Sequence, residues 1–222
     1  MPIPPPPLRL LLFILVLAFF IGVVQVGLIS IAFEKLGLSA ESAYLLLMVT
    51  LAGSILNLPL FSLKTDSAPP PKIPPELARW MFIKLPPFTG KIIVFINVGG
   101  AVVPVAFSLY LMAHNPLNLF HIATAVAVVA IVARTFSFPI PGIGIGIPML
   151  VAPLAAALIA TVLDPQQRAP LAYIGGTLGV LIGADLIRLK DIRKLGAPFA
   201  SIGGAGTFDG VFLTGLVAVL LA

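Results

Sequence analysis

The stretch 183–187, Gly-Ala-Asp-Leu-Ile, sets Asp185 in apolar sequence, and the stretch 203–210, Gly-Gly-Ala-Gly-Thr-Phe-Asp-Gly, does the same for Asp209. A short basic turn, 188–194, separates the two stretches. A carboxylate in a hydrocarbon-facing segment costs about 2.5–3.5 kcal/mol on insertion scales, and it usually marks a charge partner, a proton path or catalysis. We therefore expect the two aspartates to form the functional centre of the chain.

The composition around these stretches indicates an integral membrane protein. Hydrophobic residues make up 59% of the chain and charged residues only 9%, with a mean hydropathy of +1.15, whereas a soluble domain has about 25% charged residues. Repeated apolar stretches of about twenty residues predict membrane-spanning helices. The chain has no cysteine, so disulfides, thiolate metal sites and cysteine nucleophiles are excluded. We predict an all-α polytopic fold.

About seven transmembrane helices account for the apolar sequence. They are predicted at 9–32, 43–63, 91–113, 118–137, 148–163, 170–188 and 203–221. With the N-terminus inside, eleven of the 13 Lys and Arg residues fall on the cytoplasmic side, and only Lys35 and Arg168 fall outside. This bias predicts a cytoplasmic N-terminus and an outer C-terminus. The basic residues fall in loops between segments that contact the lipid bilayer, so topology explains the net charge of +5 and nucleic acid binding is not indicated.

The spans divide into three parts: two N-terminal helices in 1–64, a proline-rich cytoplasmic loop in 65–90, and a five-helix core in 91–222 that carries the aspartates. A proline at a helix start, an early Glu76 and a late Lys84 predict a short interfacial helix in the loop. Its Trp80 is expected at headgroup level. A plain proline-stiffened linker is the alternative.

Three spans are entered from the cytoplasmic side through glycine- or proline-rich sequence, at 97–100, 141–148 and 203–210. Irregular backbone at membrane depth is tolerated where it is buried in protein or lines a polar cavity. These Gly/Pro-broken helix entries predict a shared cytoplasmic-side cavity. Its expected lining residues are Asn97, Gly142, Gly144, Gly146, Gly206 and Thr207. The alternative is that the glycines simply allow close helix packing.

The stretch 139–148 has two interpretations of its own. Its alternating glycine and isoleucine, bounded by prolines, could run extended and offer a strand edge to a peptide. The preferred interpretation is a connector between the fourth and fifth spans.

Topology places Asp185 and Asp209 in the cytoplasmic half of two antiparallel neighbouring helices, where they can face each other. Asp164 lies at the outer end of the fifth span, about 30 Å away, and does not join them. Two facing carboxylates share a proton and titrate as a pair, so one can activate water while the other donates to a carbonyl oxygen. This chemistry needs no metal and no cofactor. In the structural alternative, Arg188 neutralises Asp185 from three residues away on the same helix face.

His114 and His121 flank a short outer loop with no acidic residue near them in sequence. They are too few for a metal site. We therefore predict no metal.

The segments Pro139-Ile140-Pro141-Gly142-Ile143-Gly144, Gly183-Ala184-Asp185-Leu186 and Gly206-Thr207-Phe208-Asp209-Gly210 resemble an uncharacterised family of archaeal and bacterial multi-pass membrane proteins, a domain of unknown function. The similarity covers most of the five-span core and implies no activity. It implies a multi-pass protein in the plasma membrane of a prokaryote.

More remotely, an aspartate on each of two consecutive spans resembles the presenilin-type intramembrane aspartyl proteases. Those enzymes carry Tyr-Asp on the first helix and Gly-x-Gly-Asp on the second. Here Ala184 precedes Asp185, Phe208 precedes Asp209, and the nearest earlier glycine, Gly206, is three residues before Asp209. The family's Pro-Ala-Leu motif also has no counterpart, so the resemblance reaches only the two aspartates.

The leading interpretation is an intramembrane aspartyl-protease-like hydrolase with Asp185 and Asp209 as catalytic residues and a transmembrane protein as substrate. The alternative is a small ion- or proton-coupled transporter that uses the same aspartates. A non-catalytic membrane scaffold is the third interpretation.

Overall fold

A computed structural model describes residues 11, 14–15, 27–65, 90–140, 144–193, 199–204 and 210–222. Most of the described residues are helical, which agrees with the predicted helical character. The α-helices are α1 Gly27–Lys35, α2 Ala40–Ser54, α3 Val103–His114, α4 Leu119–Phe136, α5 Val151–Leu163, α6 Arg168–Val180, α7 Leu189–Ile192 and α8 Gly210–Leu221. The strands are β1 Asn57–Lys64, β2 Lys91–Asn97, β3 Phe138–Ile140, β4 Gly144–Gly146 and β5 Phe199–Ile202. Two π-helical segments, Val98–Val102 and Leu181–Leu186, precede α3 and follow α6.

The centre of the helical part is α6 with the π-helical segment that continues it, over Arg168–Leu186. Within this helix, 72% of the apolar window is buried, and α3, α4, α5 and α8 all pack against α6. Small residues make this packing close. A Cβ added at Gly179 would lie 2.6 Å from the Cβ of Val129, and one added at Gly183 would overlap the carbonyl oxygen of Ala130. The glycines of this helix therefore serve close helix contact.

Two described helices are long and apolar enough to cross a membrane: Leu119–Phe136 and Arg168–Leu186. A third span results if α1 and α2, which meet at 114°, count as one broken span. The apolar helices Val98–His114, Val151–Leu163 and Val211–Leu221 are shorter. The structure thus supports two or three spans among the described residues, and the seven predicted spans are not confirmed.

A three-stranded sheet has the strand order β1-β2-β5, and its strands β1 and β2 lie in sequence that was predicted to be helical. β1 pairs antiparallel with β2, and β2 pairs parallel with β5. The strands replace the end of the predicted span 43–63 and the start of 91–113, so the all-α prediction holds only as a mostly helical fold. Mean hydropathy does not distinguish these strands from helix, because an apolar strand and an apolar helix have the same mean hydropathy. Pro59 lies on the outer strand β1 beside a β-bulge, a position where a missing N–H is tolerated.

A second sheet is the hairpin of β3 and β4, in which Phe138 pairs with Gly146 and Ile140 with Gly144. The backbone of 139–148 is therefore extended on both sides of residues 141–143, which lie outside the described residues. The paired strands agree with the extended interpretation, and the hairpin also connects α4 to α5 as the preferred interpretation expects. An open strand edge for a peptide stays a prediction.

A small apolar cluster joins the two sheets and α7. Ile92 of β2 and Ile192 of α7 are buried, and Ile145 of β4 and Ala200 of β5 pack against them. The first and third predicted parts of the chain are thus connected through the β1–β2 ladder. The division at 1–64, 65–90 and 91–222 stays a prediction, and the interfacial helix with Trp80 falls outside the described residues.

Candidate functional site

Asp185 lies in the second π-helical segment, Leu181–Leu186, and its side chain is half-buried. The wider turn continues into a hydrogen bond from the amide of Ile187 to the carbonyl of Ile182, five residues earlier, at 2.9 Å. π-Helical turns are rare and are frequent at functional sites. The π-helical backbone therefore marks Asp185 as a candidate site residue, as its position in apolar sequence did.

Gly203 contacts Asp185 from the end of β5. Its backbone N–H donates to Oδ2 of Asp185 at 2.8 Å, which orients the carboxylate. Gly203 has a φ of 78°, in the left-handed region that favours glycine. An added Cβ there would also lie 2.6 Å from the Cβ of Ala101. Only glycine tolerates both the positive φ and the close contact with Ala101, so residue 203 cannot carry a side chain without moving the backbone.

Asn97 caps the first π-helical segment, Val98–Val102, which packs against Gly203. The side-chain oxygen Oδ1 of Asn97 accepts from the backbone N–H of Gly100 at 2.7 Å. Its side-chain nitrogen Nδ2 donates to the backbone carbonyl of Ser54, also at 2.7 Å. A Cβ on Gly100 would overlap the carbonyl oxygen of Gly203. Both π-helical segments therefore converge on Gly203. We call Asp185, Gly203, Gly100 and Asn97 the Gly203 junction.

A chain of polar side chains supports the junction from the sheet. Asn97 donates to Oδ1 of Asn57 at 3.2 Å, and the hydroxyl of Ser201 donates to the same oxygen at 2.8 Å. These contacts tie the beginning of β1 to the ends of β2 and β5. Asn97 is fully buried, and its observed role is to join elements; a part in cavity lining stays a prediction.

Arg188 was predicted as the structural partner of Asp185, and that pairing stays a prediction. Arg188 is only 8% exposed, and its Nη1 donates to Asp191 at 2.9 Å. Its Nε donates to the hydroxyl of Ser137 at 2.5 Å, and Nη2 donates to the carbonyls of Arg134 and Ser137. Arg134 also lies 3.7 Å from Asp191. Arg188 thus has a structural role, and it links the end of the Asp185 segment to the end of α4.

Several predicted site residues lie outside the described residues: Asp209, Gly142, Gly206 and Thr207. Asp209 is bonded to Gly210, the first residue of α8, and follows Gly203 by six positions. Gly144 and Gly146 lie on β4, where a Cβ on Gly146 would come within 2.7 Å of the Ile140 side chain. The pairing of the aspartates and the shared cavity therefore stay predictions.

The other end of α6 holds Asp164, away from the junction as expected. Asp164 ends α5 and accepts from the amide of Gln167 at 3.1 Å. Its carboxylate also lies 3.7 Å from His121, so the fold supplies an acidic neighbour that was not apparent in the sequence around that histidine. A polar cavity of about 360 Å³ lies near this end, lined among others by Lys35, Arg168 and Ala222. The described residues contain no group of three or more metal-ligating side chains.

Two side-chain hydroxyls in the middle of α6, those of Tyr173 and Thr177, are fully buried next to each other. They are four residues apart, and Gly215 of α8 packs against both side chains. Their position is one and two turns before the Asp185 segment, in the interface with α8.

Sequence reasoning found Asp185 and Asn97 but missed Ser137, Ser201 and the strand context of the junction. A signal for one strand was present, because β-branched residues dominate Lys91–Asn97. No local signal pairs Ser137 with Arg188, since 51 positions separate them.

A family model described as "Protein of unknown function (DUF1614)" matches residues 51–221. No curated protein and no solved structure matches the chain.

Proposed function

Because the chain belongs to the DUF1614 family, whose description assigns no activity, we propose its function from the site alone: an intramembrane aspartyl-protease-like hydrolase. Asp185 and Asp209 are its coupled acid and base, and its substrate is a transmembrane protein. The reaction is hydrolysis of a peptide bond in that substrate.

The observation that carries the proposal is the hydrogen bond from Gly203 to Asp185. Gly203 begins the glycine-rich segment that ends at Asp209, so one end of that segment is held against the first carboxylate. Six residues reach at most about 20 Å. Asp209 is therefore tied within a bounded distance of Asp185.

The packing of α8 on α6 also supports the proposed pairing of Asp185 with Asp209. Ala222 lines the cavity at the start of α6 with Arg168, and Gly215 packs on Thr177 in the middle of α6. The two helices are therefore antiparallel, and Gly210 lies toward the Asp185 end, about 7.5 Å along the axis from Gly215. Asp209 follows directly from that end of α8, because its Cα is about 3.8 Å from that of Gly210.

The chemistry needs only the two carboxyl groups and a water. With one shared proton, the ionised carboxylate takes a proton from the water as its oxygen attacks the peptide carbonyl, while the protonated partner donates to the carbonyl oxygen. Breakdown of the tetrahedral intermediate transfers a proton to the leaving nitrogen. The products are a carboxylic acid and an amine.

Asp185→Asn and Asp209→Asn test this function in proteoliposomes that contain a helical transmembrane substrate. Each substitution removes an essential proton-transfer group, so cleavage is expected to fall about a thousandfold or more. Product peptides are identified by mass spectrometry. Asp164→Asn is the matched control at the other end of α6, and it should retain cleavage. Equal cleavage by the wild type and both junction variants would contradict the proposal.

The buried hydroxyls of Tyr173 and Thr177, on the helix that carries Asp185, support the second candidate, a proton-coupled carrier. Hydroxyls buried in a membrane helix are costly unless they are hydrogen-bonded, and such groups can relay protons through water. In the same vesicles, a carrier would show proton uptake that Asp185→Asn and Thr177→Val abolish, without any cleavage by the wild type. A scaffold would show neither activity.

A further inference from the structure

Three cationic side chains come together at the end of the β1–β2 ladder from which the connection between the two strands leaves. Lys64 and Lys91 are direct Cα partners in the antiparallel pairing. Arg193, which follows α7, donates from Nε to the carbonyl of Lys64 at 3.1 Å. The hydroxyl of Thr65 donates to the carbonyl of Arg193 at 2.8 Å. Two independent hydrogen bonds thus hold Arg193 against the ends of the strands. We call Lys64, Lys91 and Arg193 the cation cluster.

The sheet directs both lysines to the same face. Opposite residues in an antiparallel pair share a face, and successive residues alternate. The neighbouring pair, Leu63 and Ile92, faces inward, since Ile92 is fully buried. Lys64 and Lys91 therefore both face outward, and both are exposed.

Like charges directly opposite each other destabilise a strand pair unless an anion lies between them. In the part of the chain that the structure describes, no carboxylate lies within salt-bridge distance of the cluster: the ion pairs there are His121–Asp164, Arg134–Asp191 and Arg188–Asp191. Asp191, close in sequence to Arg193, is occupied by two other arginines. An anion from outside these residues would remove the repulsion.

The surroundings of the cluster favour a lipid as the source of that anion. The strand that leads to Lys64 exposes large apolar side chains, Leu58, Leu60 and Phe61, at 51%, 50% and 43%. Exposed apolar residues followed by lysine are typical of a segment at the membrane interface, where cations meet headgroups. A soluble phosphate compound would gain nothing from the apolar side chains.

We propose that Lys64, Lys91 and Arg193 bind the phosphate of an anionic phospholipid headgroup. The two lysines supply point charges, and the guanidinium supplies directed N–H donors. The bound lipid stabilises the end of the β1–β2 ladder, and this site is independent of the proposed hydrolysis.

Thermal unfolding of the delipidated full chain in detergent tests the site. Phosphatidylglycerol is titrated against phosphatidylcholine and, in a third arm, against inorganic phosphate at equal phosphate concentration. The wild type is expected to gain Tm with phosphatidylglycerol only. For Lys64→Gln/Lys91→Gln, the apparent affinity for phosphatidylglycerol should fall on the order of 25-fold, at about fivefold per lysine. In phosphatidylcholine alone, its Tm should equal or exceed that of the wild type, because the repulsion is gone.

The matched control is Arg168→Gln/Lys190→Gln, which removes the same net charge from outside the cation cluster. Lys190 lies on α7, near the cluster, and Arg168 lies at the start of α6. This control variant should keep most of the wild-type affinity. Equal losses in the two double variants, or no loss in the cluster variant, would overturn the site. An equal Tm gain with inorganic phosphate would overturn the lipid as its ligand. If the cluster double variant does not fold, Lys64→Gln and Lys91→Gln are measured singly, each with an expected fivefold loss.

Discussion

At the scale of single residues, the Gly203 junction is defined by atoms that leave no room for a side chain. Gly100 lies against the carbonyl of Gly203, and Gly203 in turn donates its N–H to Asp185. A methyl group at Gly100 would push Gly203 away from the carboxylate. The site therefore depends on residues that carry no chemistry themselves.

Gly100→Ala is expected to destabilise the protein by about 1–3 kcal/mol, the usual cost of overpacking, and to reduce cleavage beyond its effect on folding. Denaturant unfolding in detergent measures the first effect, and cleavage under fully folded conditions measures the second. Gly27→Ala is the control, because no described residue lies within 4 Å of a Cβ at that helical position. An unfolding free energy equal to that of the wild type for Gly100→Ala would be inconsistent with the close approach.

At the scale of elements, Arg188 connects three of them. It follows the π-helical segment that carries Asp185, and it contacts Ser137, between α4 and β3, and Asp191 of α7. A nearly buried guanidinium with this many acceptors is costly to remove without replacement, because its partners lose their donors. The contact holds the end of the Asp185 segment in place relative to the hairpin.

Arg188→Lys should therefore destabilise the protein by about 2–3 kcal/mol, since an ammonium group cannot reproduce the planar fork of donors. Arg134→Lys is the matched control. Its side chain is 41% exposed and lies 3.7 Å from the same Asp191, so its effect should stay below about 1 kcal/mol. Thermal unfolding compares the two variants, and equal shifts in Tm would argue against Arg188 as the connection.

At the scale of the whole molecule, the sequence predicted its helical, membrane-associated character and the outlying position of Asp164. The helices Leu119–Phe136 and Arg168–Leu186 follow from hydropathy alone, because each is long, apolar and continuous. The sheet did not follow, since Lys91–Asn97 is as apolar as a helix and its pairing with Phe199–Ile202 depends on residues about a hundred positions away. Asp185 was found because a carboxylate stands out in apolar sequence. Its contact with Gly203 needed the tertiary fold.

The central claim is that Asp185 and Asp209 face each other, and the absence of cysteine from the chain allows a direct measurement. In Asp185→Cys/Asp209→Cys, a short bifunctional thiol reagent should join the two positions, and mass spectrometry of proteolysed protein detects the linked peptides. Efficient crosslinking is expected in this variant, and none is expected in Asp164→Cys/Asp209→Cys, whose thiols are predicted to lie toward opposite ends of α6. Failure of the first pair to crosslink, in folded protein with both thiols reactive, would contradict the account.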